Sequence, residues 1–245
     1  MIRHILTILS VAGVAGGGEG LSAAGEGLLT RLPENGTWVS YTISQEQKRT
    51  DPQDVIRHSG TLTVRFLGAD PEQSKPCRWF ETEGEYVNPT GDATQRETAK
   101  SLIPEIALTG QSDPGASVIR CWYRSGQEEP PMQRDPAPEF LDAWHLTPPL
   151  TEREIRRSPR AFSFQSGRLD VEEQIHGHTE WRSGRGMVVL VRHQHWPHSD
   201  VPNGMAGMRL ETEIIIRGES KNSITTEYLL KDLGTGAVSG LPNHR

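Results

Sequence analysis

Residues 60–67 read Gly-Thr-Leu-Thr-Val-Arg-Phe-Leu, and this stretch decides the fold class. Apolar and polar side chains alternate along it. One side carries Leu62, Val64 and Phe66, and the other carries Thr61, Thr63 and Arg65. A period of two is the pattern of a strand with one buried face. The stretch therefore predicts a β-sheet that packs a core on one side only.

Strand patterns continue on both sides of this stretch. They cover 36–45 and 77–87 nearby, and 161–165, 169–181, 187–196, 208–217 and 224–231 in the last third. Glycines at 184 and 186 predict a hairpin turn between two of the late strands. We expect a mainly β protein, built as a single curved antiparallel sheet or an incomplete barrel.

The middle of the chain has no clear period. We expect a few short helices there, one that opens at 113–115 and runs through 118–122, and one or two turns over 139–145. The segments 127–138 and 148–159 are rich in charge and proline, which predicts solvated loops.

Composition predicts one domain with a thin core. Hydrophobic residues make up 34% of the 245 residues, and the 25 glycines bring the total to about 44%, near the low edge for globular chains. We place the domain at 25–245, with a tail that frays from about Gly234. A net charge of −6 and the lack of a basic stripe argue against a nucleic-acid partner.

The first 24 residues match a secretory signal peptide. Met1 to His4 form a short positive start, an apolar run of about 11 residues follows, and Ser22-Ala23-Ala24 offers a small-residue cleavage site. The run is shorter than the roughly 20 residues that span a bilayer. We expect an exported protein, periplasmic or extracellular, that is not an integral membrane protein after cleavage.

Two cysteines lie in a chain expected to be outside the cytoplasm. A Cys77–Cys121 disulfide is chemically permitted there and would close a loop worth about 4 kcal/mol. The alternative is a pair of buried free thiols, since cysteine packs well in cores.

Several short phrases resemble a group of exported bacterial proteins of unknown function. They are Leu32-Pro33-Glu34-Asn35-Gly36-Thr37-Trp38-Val39, Cys77-Arg78-Trp79, Leu102-Ile103-Pro104-Glu105 and Leu230-Lys231-Asp232-Leu233-Gly234. The layout is also similar to the periplasmic lipoprotein-carrier half-barrel. The segment 196–204, which contains Val201-Pro202-Asn203-Gly204, resembles a strand entry seen in relatives of that fold. The resemblance implies a curved sheet and supplies no catalytic residue.

A search for catalytic motifs finds none. The nearest string to a serine-hydrolase elbow, 110–114, has proline where glycine is required, and no phosphate loop, His-Glu-x-x-His or Cys-x-x-Cys is present. Glu81, Glu83 and Glu85 place three carboxylates on one strand face. They could hold calcium or form a solvated edge. Whether the protein is an enzyme stays open, with the sequence favouring a non-enzyme.

The histidines form the one specific constellation. His176 and His178 precede the predicted turn, and His193 and His195 follow it, so that each pair shares a strand face. Neutral imidazoles suit zinc or copper. A register in which paired residue numbers sum to 369 would gather all four. A sum of 368 would put the two histidine pairs on opposite faces of the sheet and would gather the apolar residues of both strands on one face. Hydrophobic burial favours this second register.

Two functions follow from these patterns. The first is a non-enzymatic binding or carrier module that uses a curved sheet to hold an unknown ligand or envelope component. The second is a metal-binding protein or metalloenzyme built on the histidine hairpin. A structural envelope protein with neither property is a third possibility.

Overall fold

The computed structural model describes residues 32–49, 55–70, 73, 75–87, 94–108, 117–126, 131–134, 150–183 and 187–241. These hold eleven strands and one short helix. The elements are β1 (Thr37–Arg49), β2 (Val55–Ala69), β3 (Cys77–Val87), β4 (Thr94–Pro104), α1 (Glu105–Leu108), β5 (Arg120–Ser125), β6 (Met132–Arg134), β7 (Thr151–Phe164), β8 (Gly167–Ser183), β9 (Met187–Pro197), β10 (Met205–Ile216) and β11 (Glu219–Thr235).

All eleven strands belong to one antiparallel sheet, in the order β6-β5-β4-β3-β2-β1-β11-β10-β9-β8-β7. Each strand therefore pairs with its neighbour in sequence, except where β1 pairs with β11 and joins the two halves of the chain. The sheet curves but does not close, because β6 and β7 remain as edges. The predicted fold class, a mainly β chain with one curved sheet, is confirmed.

The register defines an inner face. It consists of the odd-numbered residues of β1 (37–49), β4 (95–103), β5 (121–125), β8 (175–181) and β9 (187–195), and the even-numbered residues of β2 (56–66), β3 (78–86), β10 (208–216) and β11 (222–230). Leu62, Val64 and Phe66 lie on it and are buried, as the alternation of 60–67 predicts. Burial of such side chains, at about 25 cal/mol per Å², is the main force that fixes the register.

One end of the inner face is capped. The loop 198–204 folds under the sheet, where Val201 and Asn203 are buried and Gly204 takes the left-handed conformation (φ 80°) that closes the turn. Tyr41 Oη donates to the carbonyl of Met205 (2.8 Å) and pairs with the Asn203 amide. The segment singled out as a strand entry is therefore a plug. Ala107 and Leu108 of α1 join the same core.

The outer face of β9–β11 is covered by the tip of the β7–β8 hairpin. Phe162 stacks edge-on against Trp196 at 5.9 Å. A Cβ on Gly207 would lie 2.8 Å from Phe162 Cε1, so only glycine allows this approach without displacement. Arg160 lies over the Trp196 ring and pairs with Glu227 (3.3 Å).

The outer face of β2–β5 is covered by the C-terminal segment 236–241, which we call the strap. Glu81 is 0% exposed beneath it. Its carboxylate accepts hydrogen bonds from Ser239 Oγ (2.6 Å) and from the backbone N–H groups of Gly240 (2.9 Å) and Leu241 (3.1 Å). Arg65 Nη1 also donates to it at 3.0 Å. The predicted fraying from Gly234 is wrong as far as Leu241, because β11 runs to Thr235 and the strap is pinned.

The three glutamates of β3 do not form a solvated edge. Glu81 and Glu83 are buried and share Arg65, and Glu83 also pairs with Arg96, while Glu85 is more exposed. Two guanidinium groups, one hydroxyl and two backbone N–H groups already satisfy the oxygens of Glu81 and Glu83. The structure therefore gives calcium no part in this cluster.

Three middle segments differ from the sequence expectation. Residues 120–125 form strand β5 rather than the end of a helix, 94–104 form strand β4, and 151–159 belong to strand β7 in place of a polar loop, whereas 161–164 are in the strand predicted there. The predicted helical turns at 139–145 lie outside the described residues. Among the described helices, none has the length and apolar character needed to cross a bilayer.

Candidate ligand-binding face

The two histidine pairs lie on opposite faces of the sheet. In the β8–β9 hairpin, paired residue numbers sum to 370, so that His195 lies opposite Ile175 and His193 opposite Gly177. This register has the same parity as the sum of 368 that hydrophobic burial favoured. His176 and His178 therefore face outward. The described residues contain no cluster of three or more His, Cys, Asp or Glu side chains arranged to hold a metal ion.

The inward pair is buried. His193 is 2% exposed, its Nε2 is hydrogen-bonded to Thr179 Oγ1 (2.9 Å), and its ring meets that of His195 edge-on at 5.4 Å. Burial, with a smaller contribution from the positive charge of His178, lowers the pKa of His193 to about 4. His193 is therefore a neutral hydrogen-bonding group at neutral pH. Its Nδ1 has no hydrogen-bond partner among the described residues.

The outward pair sits at a wetter surface. His176 Nε2 is 2.8 Å from Gln174 Oε1, and His178 Nδ1 is 3.8 Å from Glu152 Oε2. Partial burial, followed by the nearby Arg156, lowers the pKa of His176. These contacts use the two rings separately, which is what surface histidines on a sheet do.

A polar row crosses the middle of the inner face. His193, Leu210, Thr226, Gln45 and His58 follow one another across five strands of the sheet. Gln45 Nε2 donates to Thr226 Oγ1 at 3.1 Å. The inner face thus changes from an apolar floor at the capped end to a mixture of apolar and neutral polar groups toward the opposite end.

A buried carboxylate lies on the other wing of this face. Glu97, on β4, is 6% exposed. It accepts hydrogen bonds from Gln95 Nε2 (2.9 Å) and from the hydroxyl of Tyr123. Burial raises the pKa of Glu97, and these two hydrogen bonds oppose that rise. None of the described basic side chains forms an ion pair with it.

Tyr86 lies beside this carboxylate. Gly84 pairs directly with Glu97, and a Cβ on Gly84 would lie 2.7 Å from Tyr86 Cε2 and 2.9 Å from its hydroxyl oxygen. The missing side chain of Gly84 therefore makes room for the Tyr86 ring to lie flat against the inner face. Tyr86 and Gln95 are only half-buried, so they lie nearer to solvent than Glu97 does. We call Tyr86, Gln95, Glu97 and Tyr123 the Glu97 cluster.

Charge is almost excluded from the inner-face side chains that the structure describes. On the eight strands β1–β5 and β9–β11, the described inner side chains include two formally charged residues, Arg78 and Glu97. Arg78 lies at the capped end, where its Nε donates to Glu105 Oε1 (2.6 Å) and its Nη1 donates to the carbonyl of Pro33 (2.6 Å). Glu97 is therefore the one charge on this part of the face without a described counter-charge.

The cysteines are both buried and free. Cys77 lies on the outer face at Pro104, and Cys121 lies on the inner face opposite Ser101, with β4 between their strands. Two strand spacings of about 4.8 Å separate them before the offset along the strands is added. That exceeds the roughly 7 Å that a disulfide can bridge between Cα atoms. The predicted disulfide is not formed, and the alternative of two buried thiols describes the structure.

Comparison with known proteins adds no relative: no family model matches the chain, and no curated protein matches it. The site must therefore be interpreted from its own geometry. Sequence reasoning found the inward histidines but missed the Glu97 cluster. The only apolar residue among the inner positions Gln95, Glu97 and Ala99 is the alanine. The hydrophobic alternation that marks a strand is therefore missing there.

Proposed function

We propose that the chain is an exported, non-enzymatic binding or carrier module that holds an extended, mainly apolar ligand against the inner face of its sheet. The observation that carries this proposal is an unclosed, curved eleven-stranded sheet whose inner face has apolar side chains, neutral polar groups and almost no charge. Such a surface suits concave ligand sites, which are mostly apolar with a few placed polar groups.

The architecture supports this proposal over a structural role. A protein that only needed a core could close its sheet and remove its edges, as barrels do. Here β6 and β7 stay apart. Buried polar groups such as His193 and Glu97 cost free energy unless they are satisfied, so an inner face made only for stability would exclude them.

The direct test is native mass spectrometry of protein purified from its own cell envelope. We expect a mass above that of the polypeptide, lost on denaturation, and identification of the released ligand as a compound with a long apolar part. N-terminal sequencing of the same sample should begin between Gly16 and Gly25. Intact Met1 in the soluble protein would refute export.

A pair of variants locates the site. Ile224 lies on the inner face in the open half, and Val87, an odd-numbered residue at the end of β3, lies on the outer face and is 39% exposed. Ile224→Trp should weaken binding of dodecanol by filling the face, while Val87→Trp should leave it unchanged. Overpacking costs about 1–3 kcal/mol, so thermal unfolding must confirm that both variants are folded. Protein that carries nothing and binds no dodecanol would favour the structural alternative.

A further inference from the structure

We propose that the Glu97 cluster is the head-group site of this ligand face and that it selects an amphiphile with an ammonium group. This inference rests on the proposed function and goes beyond it, since it assigns the polar end of the ligand. The juxtaposition that carries it is a buried carboxylate, two tyrosines and an amide, all at one wing of a face whose other described side chains carry no charge toward its open end.

The carboxylate needs a partner that the chain does not supply. A buried ionised carboxylate is costly unless it is paired. On the opposite side of the same strands, Glu81 has Arg65 and three donors of the strap. Glu97 accepts hydrogen bonds from one amide and one hydroxyl. No basic side chain in the described part of the chain forms an ion pair with it. A cationic ligand group would complete the pairing.

The aromatic neighbours favour an organic cation over a metal ion. Tyr86 lies flat over Gly84 next to Glu97, and Tyr123 donates to the carboxylate. Tyrosine rings attract ammonium groups through their π faces, and such cages recognise alkylated amines. A divalent metal would need several oxygen or nitrogen ligands, and the described residues hold no cluster of that kind.

The same charge pattern disfavours anionic ligands. Arg78 is the one arginine or lysine side chain described on the inner face of these eight strands, and Glu105 and the Pro33 carbonyl already occupy it at the capped end. A fatty acid or a phosphate would enter a low-dielectric face on which no other described side chain is a guanidinium or ammonium group, and it would meet Glu97. The apolar residues between the cluster and the plug, such as Ile43 and Leu62, are placed to take the alkyl part.

The test compares three probes that share one tail, dodecylammonium, dodecanol and dodecanoate, each below its micelle concentration and at neutral pH. Affinity is measured by isothermal titration calorimetry on the full chain and on two variants, Glu97→Gln and Glu85→Gln. Glu85 is on the outer face, so the control changes the net charge by the same amount without touching the cluster. Comparison of the two variants therefore separates the local effect of Glu97 from the general attraction of an acidic protein for cations.

We expect wild type and Glu85→Gln to bind dodecylammonium about tenfold more tightly than dodecanol, and dodecanoate most weakly. Glu97→Gln should bind the amine and the alcohol equally. Equal binding of all three probes to wild type, preference for the acid, or an amine preference that survives in Glu97→Gln would each overturn the inference while leaving the binding module intact. Failure of every probe to bind would overturn the proposed function as well. If Glu97→Gln does not fold, the order of affinities of the three probes for wild-type protein still tests the inference.

Discussion

Replacement of Glu81 by glutamine should destabilise the protein strongly, through the strap. The carboxylate is fully buried, and four groups donate hydrogen bonds to it: Arg65, Ser239 and the N–H groups of Gly240 and Leu241. Glutamine keeps the shape but replaces one acceptor oxygen by an NH₂ group, which then faces donors. Loss of one partner of a buried, charged network costs about 3–5 kcal/mol.

The loss should be visible as a fall in melting temperature of roughly 10 °C, since about 1 kcal/mol corresponds to 2–4 °C at this chain length. Glu85→Gln is the matched control on the same strand and face. Its carboxylate is half-exposed and 3.7 Å from Arg96, and such pairs are worth less than about 1 kcal/mol. Urea unfolding followed by circular dichroism gives both values.

A truncation of the strap, combined with Glu81→Gln, gives a double-mutant cycle. Removal of residues 238–245 deletes the three strap donors and lets water reach Glu81, so Glu81→Gln should cost much less in the truncated chain than in the full one. Equal costs in the two backgrounds would show that Glu81 does not act through the strap. A Glu81→Gln variant as stable as Glu85→Gln would refute the reasoning altogether.

Three other perturbations test separate parts of the structure. The folded pKa of His193, about 4, lies below its unfolded value of 6.5, so the unfolded state binds the proton first, and about 3 kcal/mol of stability should be lost as the pH falls from 6.5 to 4; urea midpoints across that range should decline less in His193→Gln. Thiol titration of denatured, unreduced protein should find Cys77 and Cys121 both free. A titration that finds no reactive thiol would instead show that the two cysteines form a disulfide. Gly207→Ala should cost about 1–3 kcal/mol in thermal unfolding, because its Cβ would meet a ring carbon at 2.8 Å, while Gly167→Ala, whose nearest contact is at 3.4 Å, should cost less.

Sequence patterns predicted the strands that bury an apolar stripe. Strand β3 begins and ends at Cys77 and Val87, as expected, and β2 carries the alternation of 60–67. Only the last part of strand β7, within 161–165, could be recognised in this way. Its residues 151–157 are exposed, and an edge strand with little buried surface has no apolar period to detect.

Strand β4 escaped recognition for a related reason. Its inner positions include Gln95 and Glu97, so the polar groups of the candidate site interrupt the hydrophobic pattern that marks a strand. The polar residues on which the proposed binding role rests therefore also hide the strand. The hairpin register shows the opposite case. The apolar set on β8 and β9 determined which face the histidines take, although the sum of paired numbers, 370, depends on the turn and differs from both expected values.

Glu81 and Glu97 lie on opposite faces of one strand pair, and the contrast between them distinguishes a structural acid from the acid to which we assign a binding role. Glu81 lies opposite Lys100 on the neighbouring strand, pairs with Arg65, and is closed over by the strap. Each of its oxygens is satisfied by the chain itself, so it can contribute only to stability. Glu97 is almost as deeply buried, yet it faces a surface without available positive charge and sits beside a half-buried tyrosine. Since an apolar residue at that position would serve stability as well or better, the buried carboxylate supports the proposal that a ligand supplies its counter-charge.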